Sequence, residues 1–430
     1  MKNFRWLFFE KIINFVNAIF VIFFLTNYLG VEKFGEYSYV ISFVTIFSFL
    51  ASFGLDAIIV KEVVNNKIET NILITNSIVL LTISSVLTYL FVLLIASFVV
   101  NESIFKNISL YGLVLLIYPI EIFYHYLNAK LDLKNISKIK SLINIFGIFM
   151  KLMAIKNNGD VVDFFIIEIV IISSSSIMAV YLALKKNIKL QKFIDFDVLT
   201  FLFKSGLPLL ISSGAILIYI RADILMIEYF LGLEKTGIYA TSLRISQIWY
   251  VLPMTLTTIL FPHILNCKKI NHNEYEKSLS LSTQIQFLIC ASFSIGTMIT
   301  APVVINNFFS KEYIESITII MFLSLSGPLV GLGYINGRYF VAENLLYLSM
   351  LRNIHGVLIN IILNLLLIPK YGLLGASTST FISVLYTNIL CLKFNKKTEK
   401  IFYLQIKSIY QLFNVKNLIN LKNKLSEIIK

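Results

Sequence analysis

Apolar segments long enough to cross a lipid bilayer recur along the whole chain, and they constrain its fold more than any other feature. A spanning helix needs about 20 residues, because it rises about 1.5 Å per residue across a hydrocarbon core about 30 Å thick. The fifth of the segments is short and contains Lys151. We predict twelve spans, at residues 10–29, 36–54, 72–100, 107–127, 141–155, 163–184, 203–229, 237–262, 279–307, 316–337, 350–368 and 373–392.

The composition agrees with an all-α polytopic membrane protein. Of the 430 residues, 57% are hydrophobic and 14% are charged, whereas soluble chains carry about 25% charged residues. The first apolar segment runs into a turn without a small-residue cleavage site, so we expect it to remain as a span. We therefore predict a multi-pass integral membrane protein.

Lysine and arginine residues are distributed unevenly between the two predicted sides. With both termini in the cytoplasm, the inner segments carry 28 of the 37 Lys and Arg residues, and each of the six outer loops carries one. Cytoplasmic loops of membrane proteins are rich in basic residues, so this asymmetry predicts that both termini are cytoplasmic. The same rule explains the net charge of +13 without a nucleic-acid partner.

The C-terminal tail, residues 396–430, is the only long segment outside the predicted spans. Its apolar residues recur every three to four positions, with lysines between them. This pattern is typical of an amphipathic helix on the anionic inner leaflet. A solvated tail without regular structure is the alternative.

A nine-residue phrase occurs twice in the chain. LGVEKFGEY begins at Leu29 and LGLEKTGIY begins at Leu231, with six identical positions at an offset of 202 residues. Six predicted crossings separate the copies, so both lie on the outer side. We predict two parallel six-helix repeats, residues 1–200 and 201–395, related by an axis along the membrane normal. Such repeats are typical of transporters, although a duplicated channel or membrane enzyme would give the same pattern.

Each copy of the phrase contains two glycines and ends on a tyrosine. The glycines permit a tight exit from one helix and entry into the next. We expect the tyrosines, Tyr37 and Tyr239, at the membrane interface, where the ring is buried and the hydroxyl contacts water.

The first phrase opens a longer stretch, residues 29–64, and three further motifs follow it at regular places. They are YIRADILMIEYFLGLEKTGIYA (219–240), FFSKEYIESI (308–317) and LLIPKYGLLGAST (366–378). In this order and spacing, residues 5–395 resemble the polysaccharide-transporter branch of the multidrug/oligosaccharidyl-lipid/polysaccharide exporter (MOP) superfamily, whose members are similar to Wzx-type flippases. The resemblance implies a MATE-like fold, in agreement with the predicted topology.

The resemblance also implies a function. It points to a flippase that moves polyprenyl-pyrophosphate-linked oligosaccharide repeat units from the inner to the outer leaflet of the bacterial inner membrane by alternating access, for O-antigen or capsule assembly. Membrane lipids, a polysaccharide polymerase and a chain-length regulator are the further partners that it implies. It requires no cofactor, and H⁺ or Na⁺ is the expected coupling ion.

Two alternative functions remain open at this point. A MATE-like drug or cation antiporter would share the architecture, but its cavity should be acidic. A membrane-embedded oligosaccharide polymerase or ligase generally resembles chains with a large outer loop, and the outer loops here are short. The sequence contains no P-loop, HExxH or GxSxG motif and no clustered metal ligands, so we predict neither an enzyme nor a metal site.

Basic residues within the predicted spans are candidates for holding an anionic substrate. A charge at the bilayer centre costs about 2.5–3.5 kcal/mol on insertion scales, so each one is a candidate functional residue. Arg221, Arg244 and Lys151 are the candidate cavity cations, and Asp223 completes a basic-x-Asp pattern that matches the family. A guanidinium can hold phosphate oxygens through paired hydrogen bonds. A structural ion pair between helices is the alternative role.

Acidic residues within the spans are candidates for carrying a coupling proton. Glu121 and His125 lie four residues apart, on one face of the fourth span. Glu168, in the sixth span, has no obvious partner in the sequence. A carboxylate with an imidazole one turn away can relay a proton, and a polar contact between helices is the alternative.

Three charged residues lie near the inner ends of spans. Asp56 belongs to a Gly-Leu-Asp sequence that matches the family, and we interpret it as a cap or gate at the inner mouth. Arg338 and Arg352 border the tenth and eleventh spans, as rim anchors or as phosphate ligands. Pro328, with four glycines in residues 324–338, predicts a bend in the tenth span.

Overall fold

The computed structural model describes residues 2–66, 68–130, 133–186, 188–191 and 193–412. All regular secondary structure in these residues is helical. The α-helices are α1 (Lys2–Phe20), α2 (Thr26–Ser52), α3 (Leu55–Asn65), α4 (Thr70–Val99), α5 (Glu102–Gly112), α6 (Tyr118–Ala129), α7 (Leu133–Lys156), α8 (Val161–Leu184), α9 (Phe196–Gln247), α10 (Val251–Ile270), α11 (His272–Phe308), α12 (Ser316–Ser324), α13 (Gly327–Ala342), α14 (Leu346–Leu385), α15 (Cys391–Lys393) and α16 (Glu399–Leu412). Two π-helical segments, Val21–Leu25 and Tyr386–Leu390, continue α1 and α14.

Seven helical stretches in the described part of the chain are long and apolar enough to cross a membrane. An eighth results if α12 and α13, which are bent by 41° where they meet at Pro328, count as one span. The predicted all-helical, multi-pass class is therefore confirmed. The predicted bend in the tenth span is found as well.

Three of the seven stretches are too long for a single crossing. Phe9–Asn65 has 57 residues, Phe196–Ile270 has 75 and Leu346–Lys393 has 48, whereas about 20 residues suffice for one crossing. In each, one α-helix contains a glycine with non-helical backbone angles, and these glycines are Gly30, Gly232 and Gly372. The first stretch also turns at Phe53 and Gly54, between α2 and α3. The breaks at Gly30 and Gly232 fall in the two copies of the repeated phrase.

Side-chain caps fix where several helices begin. The Asp160 carboxylate accepts a hydrogen bond from the backbone N–H of Val161, and Asp163 accepts one from the N–H of Asp160, which forms a capping box at the start of α8. Asn101 and Asn271 cap α5 and α11 in the same way. These caps satisfy backbone donors that have no partner within the helix.

The chain forms two compact units, Met1–Gly237 and Ile238–Lys430. The core of the first unit joins α3, α4, α6 and α8 with the beginning of α9, where Leu202 is fully buried and Phe203 packs 5.2 Å from the Phe53 ring. In the second unit, α11 packs against α10, α12, α13 and α16. A division into bundles at residue 200 stays a prediction.

The described part of the tail is helical, as its periodicity predicts. One face of α16 packs on the second unit through polar contacts: Gln405 Nε2 donates to Asn336 Oδ1 at 2.6 Å, and the hydroxyls of Ser408 and Ser280 are 2.7 Å apart. The helix is therefore docked on protein, through contacts that neither the leaflet nor the solvated alternative includes. The rest of the tail, residues 413–430, lies outside the described residues.

Candidate functional site

The two copies of the repeated phrase lie directly against each other within the first unit. A Cβ atom added to Gly35 would collide with the backbone carbonyl of Leu233, and one added to Gly237 would collide with that of Val31. Leu233 and Gly237 stand 202 positions after Val31 and Gly35, so the contact is reciprocal. The second glycine of each phrase therefore permits an approach of two backbones that a side chain would block.

The first glycine of each phrase adopts a backbone conformation that other residues rarely take. Gly30 adopts φ 72° and ψ 178°, and Gly232 adopts φ 82° and ψ 179°. This region of backbone space is essentially restricted to glycine, while a Cβ at either position would meet no atom within 4 Å. The two copies thus share one backbone conformation as well as one sequence.

The tyrosines that end the phrases are buried in protein, so the expectation that their hydroxyls contact water is wrong; their place at the membrane interface stays a prediction. Tyr37 is 2% exposed and donates its hydroxyl hydrogen to Glu168 Oε1 at 3.0 Å. Tyr239 is fully buried, with its hydroxyl 3.3 Å from Thr380 Oγ1. Each ring is accommodated because the hydroxyl finds a protein partner in place of water.

Lys151 and Glu168 form a buried ion pair in the first unit. The Lys151 ammonium has no solvent exposure and lies 2.7 Å from Glu168 Oε1, the same oxygen that Tyr37 contacts. Asn17 Oδ1 lies 3.5 Å from the ammonium. The pair thus connects α7 and α8 to α1 and α2. One candidate cavity cation and one candidate coupling carboxylate are brought together here.

The other candidate substrate residues lie along α9. Asp223 is 5% exposed, and Arg221 and Arg244 are partly buried. All three take part in polar or charged interactions. Arg221 belongs to the first unit and lies within electrostatic reach of Tyr111 on α5. Arg244 belongs to the second unit.

His125 is paired with Asp56, a contact that the sequence pattern does not indicate. His125 Nε2 lies 3.5 Å from Asp56 Oδ1, and Asp56 is 60% exposed. Glu121 lies instead in the neighbourhood of Lys140, whose ammonium stacks on the Tyr124 ring at 3.6 Å from its centre. The structure therefore joins one candidate gate residue to one candidate relay residue.

The two rim arginines each stack on an aromatic ring. Arg338 lies 5.2 Å from the ring centre of Phe261 and donates to Thr258 Oγ1 at 3.0 Å. Arg352 lies 5.2 Å from the ring centre of Phe340. In the described residues, no group of three or more His, Cys, Asp or Glu side chains is placed to hold a metal ion.

An ion pair on the predicted outer side anchors the first phrase. Lys33 Nζ and Asp160 Oδ1 are 2.8 Å apart, and both side chains are more than half exposed. The hydrogen bond from Lys33 holds the pKa of the Asp160 carboxyl below its usual range. Tyr28 adds a hydrogen bond to the Gly159 carbonyl at 2.8 Å. The phrase is thereby attached to the loop that precedes α8.

Comparison with protein families decides where this chain belongs. The family model described as "Polysaccharide biosynthesis protein" matches residues 1–268. The chain belongs to this family. The match includes both copies of the phrase and all of α1–α9.

Two relatives have names that bear on the family's role. The chain is 24% identical over 181 residues to a "Probable low-salt glycan biosynthesis flippase" of Haloferax volcanii, covering 42% of this chain and 38% of that protein. It is 23% identical over 393 residues to a capsular polysaccharide biosynthesis protein of Staphylococcus aureus, covering 89% and 96% of the two chains. The match spans only 36% to 50% of the length of the first three curated relatives.

Solved structures establish the fold of this family member. The lipid II flippase MurJ in an inward closed conformation superposes with a TM-score of 0.72 at 17% identity, covering 96% of this chain and 91% of MurJ. A MATE family multidrug transporter of the MOP superfamily, in an inward-facing conformation, gives a TM-score of 0.64 at 15% identity, covering 93% and 96%. The expected MATE- and MOP-like fold is therefore confirmed.

One polar contact of this polysaccharide biosynthesis protein was not a sequence prediction. The Tyr39 side chain, which is 2% exposed, lies beside the Glu228 carboxylate. This neighbourhood brings α2 and α9 together a few residues from the glycine contact. Glu228 is a charged residue near the outer end of the seventh predicted span, and that position could have marked it as a candidate. Nothing in the sequence around Tyr39 indicates a polar contact.

Proposed function

We propose that the protein is a flippase for polyprenyl-pyrophosphate-linked oligosaccharide repeat units, working by alternating access in a bacterial inner membrane and supplying O-antigen or capsule assembly. The single observation that carries the proposal is the reciprocal glycine contact between the two phrases. An alternating-access transporter needs a seal that forms and separates in every cycle. Two glycine-bearing backbones that meet without interlocking side chains suit such a seal.

The family and the fold favour a lipid-linked glycan as cargo. A relative is named as a glycan biosynthesis flippase, another as a capsular polysaccharide biosynthesis protein, and the fold is shared with a lipid II flippase. The same likeness favours a transporter over an enzyme. We propose a polysaccharide polymerase and a chain-length regulator as partners, and this proposal follows only from the proposed role in polysaccharide assembly.

The proposed topology has twelve spans, parallel six-helix repeats and cytoplasmic termini. If each of the three long stretches is two crossings, the seven stretches give ten. The bent pair α12–α13 and the less apolar α7 bring the number to twelve. The matching breaks at Gly30 and Gly232 support the repeat. In this topology the phrase contact lies on the outer side, where we propose that it acts as a seal.

Arg221, beside Asp223 in the first unit, is a proposed ligand of the pyrophosphate, and Arg244 is a separately proposed anion ligand of the second unit. Because Lys151 is held by Glu168, we place it in the coupling site rather than with the substrate. A proton or Na⁺ that neutralises Glu168 would weaken its hold on the Lys151 ammonium and on the Tyr37 hydroxyl, and so loosen the first phrase. Glu121, His125 and Asp56 are the proposed inner-mouth groups of the same path.

The test is leaflet exchange of a fluorescent polyprenyl-pyrophosphate oligosaccharide in proteoliposomes. Charge-assisted hydrogen bonds are worth about 1.5–3 kcal/mol, so Arg221→Gln should slow exchange at least about tenfold. Lys61→Gln, at a side chain 71% exposed in the same unit, is the charge-matched control. Exchange by Arg221→Gln at the wild-type rate would remove the pyrophosphate role.

The two alternative functions give other outcomes in the same vesicles. A drug antiporter would accumulate organic cations against a proton or Na⁺ gradient and leave the lipid-linked oligosaccharide in its leaflet. A polymerase would lengthen the glycan whether or not it changed leaflet.

A further inference from the structure

A cavity of about 210 Å³ lies within the second unit, where the first turns of α14 meet the end of α15. Two nitrogen-rich side chains, Arg352 and His355, belong to its lining, and none of the described residues that line it is an Asp or Glu. The residues that matter here are Phe340, Arg352, His355, Tyr386, Asn395 and Thr398. A cavity that offers a guanidinium, an imidazole, an amide and a hydroxyl without a carboxylate selects an anion.

The size of the cavity limits what the anion can be. A water molecule takes about 30 Å³ in the liquid, so the cavity has room for about seven. A phosphate group with its ester carbons fits this volume. The cavity therefore matches a lipid headgroup phosphate.

Arg352 is positioned by an aromatic platform. Its guanidinium lies 5.2 Å from the centre of the Phe340 ring, and Phe340 is 1% exposed, so the platform is fixed in the core. Stacking of this kind leaves the in-plane N–H groups of an arginine directed sideways, which is the geometry that binds two phosphate oxygens. His355 lies three residues later, on the same face of α14.

The opposite wall of the cavity is irregular helix. The π-helical segment Tyr386–Leu390 interrupts regular helix there, and its Tyr386 ring lies 6.4 Å from the His355 ring. Asn336 Nδ2 stabilises the segment by donating to the Asn388 carbonyl at 2.9 Å. Single π-turns within α-helices occur frequently at functional sites.

The rim of the cavity has the composition of a membrane interface. Lys393, Lys396 and Lys397 are exposed beside the lining residue Asn395. Phe394, also in the lining, is 78% exposed. Lysines with an exposed aromatic ring are typical of segments at the headgroup level of an anionic leaflet.

We propose that this cavity binds the phosphate group of an inner-leaflet lipid, with Arg352 as the main ligand and His355 as the second. The proposal uses the inner-side placement of these residues from the proposed topology, and it does not require flippase activity. The phosphate can come from an anionic phospholipid or from a polyprenyl carrier. The chemistry is the same, and the experiment separates the two sources.

The experiment measures lipid retention by native mass spectrometry on the full chain in detergent. The protein is titrated separately with phosphatidylglycerol, with zwitterionic phosphatidylcholine and with polyprenyl phosphate. We expect wild type to retain an anionic lipid, and Arg352→Gln to bind it roughly tenfold more weakly. Arg352→Lys should bind with intermediate affinity, because it keeps the positive charge but loses the paired N–H donors of the guanidinium.

Two variants keep the test interpretable. Lys277→Gln removes a charge from a side chain 70% exposed in the same unit and should bind as wild type does. His355→Gln removes the second ligand at an exposed position, so it should fold normally and bind several-fold more weakly. Weakened binding of phosphatidylglycerol assigns the site to a phospholipid, and weakened binding of polyprenyl phosphate alone assigns it to the carrier. Equal retention of both lipids by wild type, Arg352→Gln and His355→Gln overturns the proposal.

Discussion

The two copies of the repeated phrase share a backbone but differ in what their tyrosines contact. Tyr37 bonds a carboxylate that is itself held by a buried lysine, whereas Tyr239 bonds a neutral threonine hydroxyl. The backbone breaks and the glycine contacts are the same in both copies. The repeat has therefore kept the scaffold in both copies, and a buried ion pair lies behind the first copy.

The largest expected difference between the copies concerns the free energy of unfolding. Lys151→Met leaves Glu168 in a site built for an ion pair, and breaking a buried pair costs about 3–5 kcal/mol. Replacing both partners, as Lys151→Met with Glu168→Leu, should recover most of that loss. Thr380→Val, behind the second copy, should cost about 1 kcal/mol. Denaturant unfolding in detergent measures all three, and a small loss for Lys151→Met would contradict the comparison.

The next effect tests the symmetry of the glycine contact. Gly35→Ala and Gly237→Ala each insert a methyl group against a backbone carbonyl, and overpacking of this kind costs about 1–3 kcal/mol. Because the contact is reciprocal, the two losses should be similar. Gly296→Ala, where a Cβ meets no atom within 4 Å, is the control and should be neutral or stabilising. A loss at only one of the two positions would break the symmetry.

A smaller effect compares the two tyrosines directly. Tyr37→Phe removes a hydrogen bond to a charged group, worth about 1.5–3 kcal/mol, and Tyr239→Phe removes a neutral one, worth about 0.5–1.5 kcal/mol. The first substitution should also change the ion dependence of leaflet exchange, because it acts on Glu168. Thermal unfolding and exchange at varied pH and Na⁺ measure both effects. Equal behaviour of the two variants would show that the difference in partners has no consequence.

The smallest effect lies on the predicted outer side. Lys33 holds the pKa of Asp160 below its ordinary value, so the pair contributes stability above the Asp range and loses it as the pH falls through the lowered pKa. Both side chains are exposed, and Lys33→Ala should cost under about 1 kcal/mol at neutral pH. Unfolding midpoints of wild type and Lys33→Ala should converge in acid. If the difference between the two unfolding midpoints widened in acid, the predicted direction of the pH dependence would be contradicted.

The sequence predicts those features of the fold that depend on local pattern. Apolar run length identifies the membrane-spanning helices, Pro328 marks the bend between α12 and α13, and the periodicity of residues 399–412 marks α16. The glycines at 30 and 232 mark helix breaks because few other residues adopt their backbone angles. These properties reside in single residues or short windows.

Most of the candidate site depends on contacts between distant helices, for which a single sequence carries no signal. Lys151 and Glu168 are 17 residues apart on different helices, so nothing in either segment indicates the other. The expected contact of the Tyr37 and Tyr239 hydroxyls with water is wrong, because a buried hydroxyl with a protein partner is as well satisfied as a hydrated one. His125 was matched with Glu121 by helical spacing, and a residue from α3, Asp56, is its partner.

The central claim is that the glycine contact is the outer seal of a lipid-linked oligosaccharide flippase. Its most direct test is the initial rate of leaflet exchange of a fluorescent lipid-linked oligosaccharide in proteoliposomes. Each cycle must re-form the sealed state, and a strain of about 1–3 kcal/mol disfavours that step. Exchange by Gly35→Ala and Gly237→Ala should therefore be about fivefold slower or more, while Gly296→Ala exchanges as wild type does. Wild-type rates for both phrase variants would contradict the account.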